Sequence, residues 1–128
     1  MFEKLEIFRT AQAMAVHAGT RQAVVAQNMA NADTPGYAAR EVEPFKAVMD
    51  AGSSGFGQMA TRAGHLNGVS NSLQFDVSEV RDALADPNGN SVSLEEEMMK
   101  AVNVKRQHDV ALAIYKSSLT ILRTAIAR

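Results

Sequence analysis

The sequence predicts a mainly α protein, with long helices at both ends and an irregular middle containing a small β element. Three observations carry this expectation. Glu3 to Asn31 holds no proline, many alanines, and apolar residues at Leu5, Phe8, Ala11, Ala15, Ala18, Val25 and Met29, a helical recurrence in good helix formers. From Ser93 onward a 3-4 spacing runs through Leu94, Met98, Ala101, Lys105, His108, Leu112, Tyr115, Leu119, Leu122 and Ile126. Between these ends, five of the eight glycines fall within Ala51 to Gly68, a loop-forming composition. The expected division is therefore an N-terminal helix over 1–32, a turn, Gly-rich loop and short β segment over 33–92, and a C-terminal helix over 93–128. The two helices form one structural unit.

The first helix offers little bulk after Phe8, since alanines and Gly19 dominate its stripe. Another helix can therefore approach closely, and Gln12, Gln22, Gln27, Asn28 and Asn31 suit hydrogen bonding across a packed interface. The helix ends at Asn28 to Tyr37, where Asp33, Thr34, Pro35 and Gly36 arrive together. Proline keeps Thr34 out of the α region and Gly36 takes positive φ at little cost, so Thr34 to Tyr37 is a candidate type II turn. Asn28, Asn31 and Asp33 are placed to satisfy the frayed helix end.

Past the turn, Phe45, Val48 and Met49 mark a short helix after Pro44. Leu73 to Ser78 alternates apolar and polar residues, which favours a half-buried strand over a short helix capped by Asp76 with Glu79 three residues on. Asp86 to Ser91 is a loop by its turn residues. Asp86, Asn88, Asn90 and Glu97 also fall at positions 1, 3, 5 and 12 of a calcium loop, but Ser91 stands where that loop needs glycine, and a plain turn is the better reading. Ser93 followed by Glu96 is a capping box, and Glu95, Glu96 and Glu97 place negative charge at the positive end of the helix dipole. The C-terminal helix is about 50 Å long at 1.5 Å per residue. A second apolar row at Val104, Ala111, Ile114, Ile121 and Ala125 widens its buried face. The Gly-rich middle is too small to cover two such helices, so they are expected both to pair and to be covered by other subunits.

The formal net charge of the 128 residues is −1, which points to neither nucleic acid nor an anionic membrane. The charge is segregated. Asp76, Glu79, Asp82, Asp86, Glu95, Glu96 and Glu97 meet only Arg81, whereas from Lys100 onward Lys105, Arg106, Lys116, Arg123 and Arg128 meet only Asp109. Such asymmetry suits subunits that meet acidic end to basic side, or a solvated helix. Without cysteine there is no disulfide or thiolate site. The N-terminus does not read as a cleavable secretory signal, and no direct membrane span is expected. His17, His65 and His108 lack metal-ligand spacing; His17 is expected on a helix face, His65 in a loop, and His108 as a hydrogen-bonded core residue. No nucleophile or paired-carboxylate arrangement appears, so no enzyme activity, cofactor or metal is expected.

Arg21 to Tyr37, ending in Asn28-Met29-Ala30-Asn31-Ala32-Asp33-Thr34-Pro35-Gly36-Tyr37, resembles the N-terminal signature of the bacterial flagellar rod, hook and filament-junction proteins. Gly89 to Met98, with the closing Leu122-Arg123-Thr124-Ala125-Ile126, resembles their C-terminal signature. The short length, Ala39-Arg40-Glu41-Val42 and Gly64-His65-Leu66 are most similar to the proximal rod members. Ser93 stands where the family usually has Asp or Asn, and Gln107 to Val110 lacks the usual aromatic.

The resemblance implies an axial subunit of the basal-body rod, in the periplasm, whose terminal helices pair as an antiparallel coiled coil around an export channel. It also implies passage through the flagellar type III export apparatus without a cleaved signal. Implied partners are other copies of the chain, other rod proteins, the ring-adaptor protein FliE and the export gate. The expected assembly interface is Leu5, Phe8, Ala15, Val25, Met29, Leu94, Met98, Leu112, Tyr115, Leu119, Leu122 and Ile126. The turn motif is Asn28, Asn31, Asp33, Thr34, Pro35, Gly36 and Tyr37, and the helix cap is Ser93 with Glu96. A soluble helical adaptor that holds one partner helix in a groove is the alternative function.

Overall fold

The computed structural model describes residues 2–53, 75–81 and 83–127. Five elements follow in order: α1 (Phe2–Ala30), β1 (Arg40–Val42), α2 (Phe45–Ser53), β2 (Val77–Glu79) and α3 (Leu94–Ile126). The architecture is mainly helical, with α1 and α3 packed on each other and β1 paired with β2 between them in sequence. Three links along the pair fix its direction. Phe8 meets Tyr115 edge to face at 5.3 Å between centroids, Arg21 Nη1 donates to Gln107 Oε1 at 3.2 Å, and Asn28 Nδ2 donates to Glu97 Oε2 at 3.2 Å. Rising numbers on α1 meet falling numbers on α3, so the helices are antiparallel.

The buried positions explain the pairing. On α1, Ala11, Ala18 and Val25 are buried every seventh residue, and on α3 so are Glu97, Val104 and Ala111. That is the seven-residue recurrence of a coiled coil. Small side chains let the helices come close, which replaces leucine bulk with backbone proximity. The seam expected from the sequence is rotated in the structure. Leu94, Met98 and Leu112 lie exposed to one side, and the row one residue earlier, at Glu97, Val104 and Ala111, faces α1.

A second face of α1 receives the middle of the chain. Ala13, His17 and Val24 are buried there, as are Ala39 and Val42 at β1. His17 is on a helix face, as expected, but fully buried: its Nε2–H donates to the Glu43 carbonyl at 2.7 Å, and its ring meets Phe45 at 5.5 Å and Phe75 at 4.8 Å. The bond to Glu43 and the ring of Phe45 bring the start of α2 onto α1. α2 forms where the sequence placed a short helix, and the Pro44 carbonyl accepts its first amides from Ala47 and Val48. Proline costs nothing at that position because a helix start uses no N–H there.

Among the described residues of Leu73 to Ser78 the strand begins only at Val77, and it runs on to Glu79. β1 and β2 run antiparallel with Arg40, Glu41 and Val42 opposite Glu79, Ser78 and Val77. All three β2 residues are exposed, and Phe75, just before the strand, packs instead on His17. The alternation read as a strand face therefore marks a single aromatic anchor followed by a solvated edge. Leu73, Gln74, His65 and most of the Gly-rich stretch lie outside the described residues, as does the side chain of Leu5. Among the described residues no helix is long and apolar enough to cross a membrane.

Candidate functional site: a clasp between the two terminal motifs

The stretch that ends α1 and the stretch that begins α3 are far apart in sequence and interlocked in space. Local chemistry shapes each half first. In the first, Thr34 to Tyr37 closes a turn with Tyr37 N–H donating to the Thr34 carbonyl at 3.3 Å, and Gly36 takes φ +73°. This is the φ a type II turn demands at its third position. In the second, Gly89 N–H donates to the Asp86 carbonyl at 2.8 Å, with φ +80° at Gly89. The two glycines lie back to back, since a Cβ built on Gly89 would stand 3.4 Å from the Gly36 Cα. Gly36 N–H then donates to the Asn88 carbonyl at 3.0 Å, and Ser91 N–H to the Tyr37 carbonyl at 3.1 Å.

Two buried asparagines complete the lock. Asn90 points its Nδ2 at the carbonyls of Asn31, Ala32 and Thr34 at 2.9, 2.8 and 2.8 Å. These carbonyls follow the last turn of α1, where no helical N–H remains to meet them. Its Oδ1 accepts from Val92 N–H at 2.8 Å. Asn28 uses both ends of its amide as well. Nδ2 donates to the Arg40 carbonyl at 2.8 Å and to Glu97, while Oδ1 accepts from Arg40 N–H at 3.1 Å and from the Tyr37 hydroxyl at 3.2 Å. Glu97, also buried, receives Lys100 Nζ on its other oxygen at 3.2 Å. A buried carboxylate is tolerable because both oxygens have donors and the first turn of α3 supplies positive potential. Ser93 Oγ accepts from Glu96 N–H at 3.5 Å, which is the Ser93 half of the capping box read from the sequence.

The predicted turn residues thus divide into different roles. Asn31 does serve the end of α1, with Nδ2 donating to the Gln27 carbonyl at 2.8 Å and Oδ1 accepting from the Thr34 hydroxyl at 3.2 Å. Asn28 does not: it joins α1 to β1, Tyr37 and α3. Asp33 and Pro35 are exposed. The residues that sequence reasoning missed are Asn90 and Glu97, which close α1 and hold Asn28. Asn90 is legible in the sequence as a loop and calcium-position residue, and Glu97 as a calcium-position residue and a first-turn acid on the helix dipole. In the structure their side chains are committed to the clasp, so two of the four positions of that calcium pattern are otherwise engaged. Among the described residues no group of three or more acidic or histidine side chains is placed to hold a metal.

The expected interface residues fall into three sets. Val25 is buried within the molecule, and Phe8, Ala15, Met29, Leu119 and Leu122 are half-buried. Leu94, Met98, Leu112, Tyr115 and Ile126 are exposed. Ile7, Met99, Val102, Val110, Ile114 and Ile121 are also exposed large apolar residues, so both sides of α3 present apolar surface beyond the seam with α1. His108 is half-buried on α3.

A paired set of terminal helices, closed at one end by a lock between two terminal motifs and apolar on its outside, defines a structural assembly protein. Residues 9–37 match the family described as flagella basal body rod protein. The chain is 35% identical over 129 aligned residues to the flagellar basal body rod protein FlgB of Agrobacterium fabrum (strain C58), covering 98% of this chain and 96% of the relative. It is 25% identical over 109 residues to the FlgB of Bacillus subtilis (strain 168), covering 85% and 84%. The chain belongs to the flagellar basal body rod protein family, and its role is structural, within the rod of the basal body.

Proposed function

We propose that this chain builds the wall of the proximal rod by helical assembly, with α1 and α3 forming the inner tube around an export channel and the middle packed outward. The observation that carries this reading is the apolar surface left on the paired helices: Leu94, Met98, Leu112, Tyr115 and Ile126 stand in water in a single copy. Surface of that extent on two long helices marks an interaction face, and identical contacts that do not close generate a tube. Under this reading other rod proteins, the ring-adaptor protein FliE and the export gate adjoin the subunit. It reaches the periplasmic rod through the flagellar type III export apparatus without a cleaved signal.

Replacing Leu112, which is exposed, with Asp should leave helix content and unfolding unchanged while abolishing motility, with the subunit still exported. Normal swimming in cells carrying Leu112→Asp would rule out that face as an assembly contact. One-to-one complexes with a single helical partner, without polymers, would instead favour a soluble adaptor.

A further inference from the structure

The outer flank of α3 has a polarity that the seam with α1 does not use. Its first turns expose Glu95 and Glu96 beside Leu94, Met98, Met99 and Val102, with Met99 and Val102 each 69% exposed. Leu84, 97% exposed, stands in the irregular segment that leads to the same end. At the far end Lys116 and Arg123 are exposed on one face of α3 with Leu112 and the half-buried Leu119. Between them Lys105 Nζ is paired with Asp109 at 3.1 Å, and Arg106 stands exposed. Glu3 and Glu6 belong to this far end but line the groove beside Ile114. Ile114 and Lys116 are two residues apart and so face opposite sides of α3. The flank is therefore acidic and apolar at the clasp, and basic and apolar at the open end of the hairpin.

We propose that the clasp end of one copy docks on the open end of the next, Glu95 and Glu96 opposite Lys116 and Arg123, with Met99 and Val102 meeting Leu112 and Leu119. The occupant is a second copy of this chain because the two patches are complementary in charge and alike in apolar content. The contact is heterologous: one patch meets a different patch, which repeats without closing. Charge sets the register and direction of the docking, and the apolar residues supply the buried area. This inference rests on the rod reading and adds to it an axial, end-to-end contact between neighbours.

The test uses two full-length variants, Glu95→Lys with Glu96→Lys, and Lys116→Glu with Arg123→Glu, followed by sedimentation velocity alone and mixed. Circular dichroism checks that each keeps the wild-type helix content, and Glu95→Gln with Glu96→Gln provides a milder version should reversal disturb the cap. Wild-type protein should associate with rising concentration and less so at high salt. Each variant alone places like charges in contact and should associate at least about tenfold more weakly. An equimolar mixture should recover wild-type association, because every contact in an alternating chain again joins opposite charges. Unchanged association of either variant overturns the proposal. So does a mixture of well-folded variants that fails to recover, or a wild-type chain that stays monomeric up to its solubility limit. The rod reading fails separately, if the wild-type gene does not restore rods to cells lacking this subunit.

Discussion

Asn90 closes α1 with a side chain that belongs to another segment, so its removal should injure a helix some sixty residues upstream. Asn90→Ala strands the Ala32 carbonyl and the Val92 amide, and takes one of two donors from the carbonyls of Asn31 and Thr34. With about 1–3 kcal/mol for each buried group left without a partner, part of it recovered by water, a loss of roughly 3 kcal/mol is expected in urea unfolding. Amides over 28–36 should exchange faster, and exchange confined to 86–92 would show that the cap matters less than its geometry implies. Asn28 makes a sharper test. Asn28→Asp keeps the shape but removes two donors and sets a carboxylate beside buried Glu97, for about 3–5 kcal/mol of destabilisation. Adding Glu97→Gln should restore part of that loss, because the new amide can donate to Asp. An additive double mutant would mean the two side chains do not communicate. Gly36→Val places a β-branched residue at φ +73°. Space is not the obstacle, as nothing lies within 4 Å of the added Cβ; the strain is in the backbone, of order 1–3 kcal/mol. Rod assembly unchanged by Gly36→Val would show that the turn tolerates other conformations.

At the scale of elements, what the sequence made legible was local and what it hid was long-range. Helix α1 was expected over Glu3 to Asn31 and spans Phe2–Ala30; α3 begins after the Ser93 cap, as the capping pattern required. Spacing, capping and turn chemistry act over a few residues, so they can be read directly. Which of two adjacent apolar rows on α3 meets α1 depends on the partner helix, and the larger residues lost. Alanine-rich α1 has no holes for leucine knobs; its surface fits Val104 and Ala111, while Leu112 is left outside. The β alternation misled for a related reason, because Phe75 is fixed by His17 of α1 rather than by a sheet face. Ala111→Leu follows from the same packing. Ala111 is fully buried between close helices, so the larger side chain should force them apart and cost about 1–3 kcal/mol. Ala113→Leu, on an exposed position one turn-fraction away, should change stability little. Equal thermal midpoints for the two variants would mean the seam is looser than the buried alanines indicate.

The molecule as a whole is held unevenly along its length. At one end of the hairpin the clasp joins α1, β1, the turn and α3 through buried hydrogen bonds. At the other, among the described residues, the edge contact of Phe8 with Tyr115 is followed by turns of α3 that are mostly exposed. Few buried contacts and many solvated helical hydrogen bonds define the low-stability end of a structure. In the monomer, amides of 97–111 should therefore exchange near the global unfolding rate, whereas those of 119–127 should exchange much faster. Assembly would cover Leu119, Leu122 and Ile126 and slow the second group selectively, leaving the clasp almost unchanged. Hydrogen exchange on monomer and on assembled rods measures both. Full protection of 119–127 in a monomer would mean the open end is already ordered, and that neighbouring subunits add contacts without completing the helix.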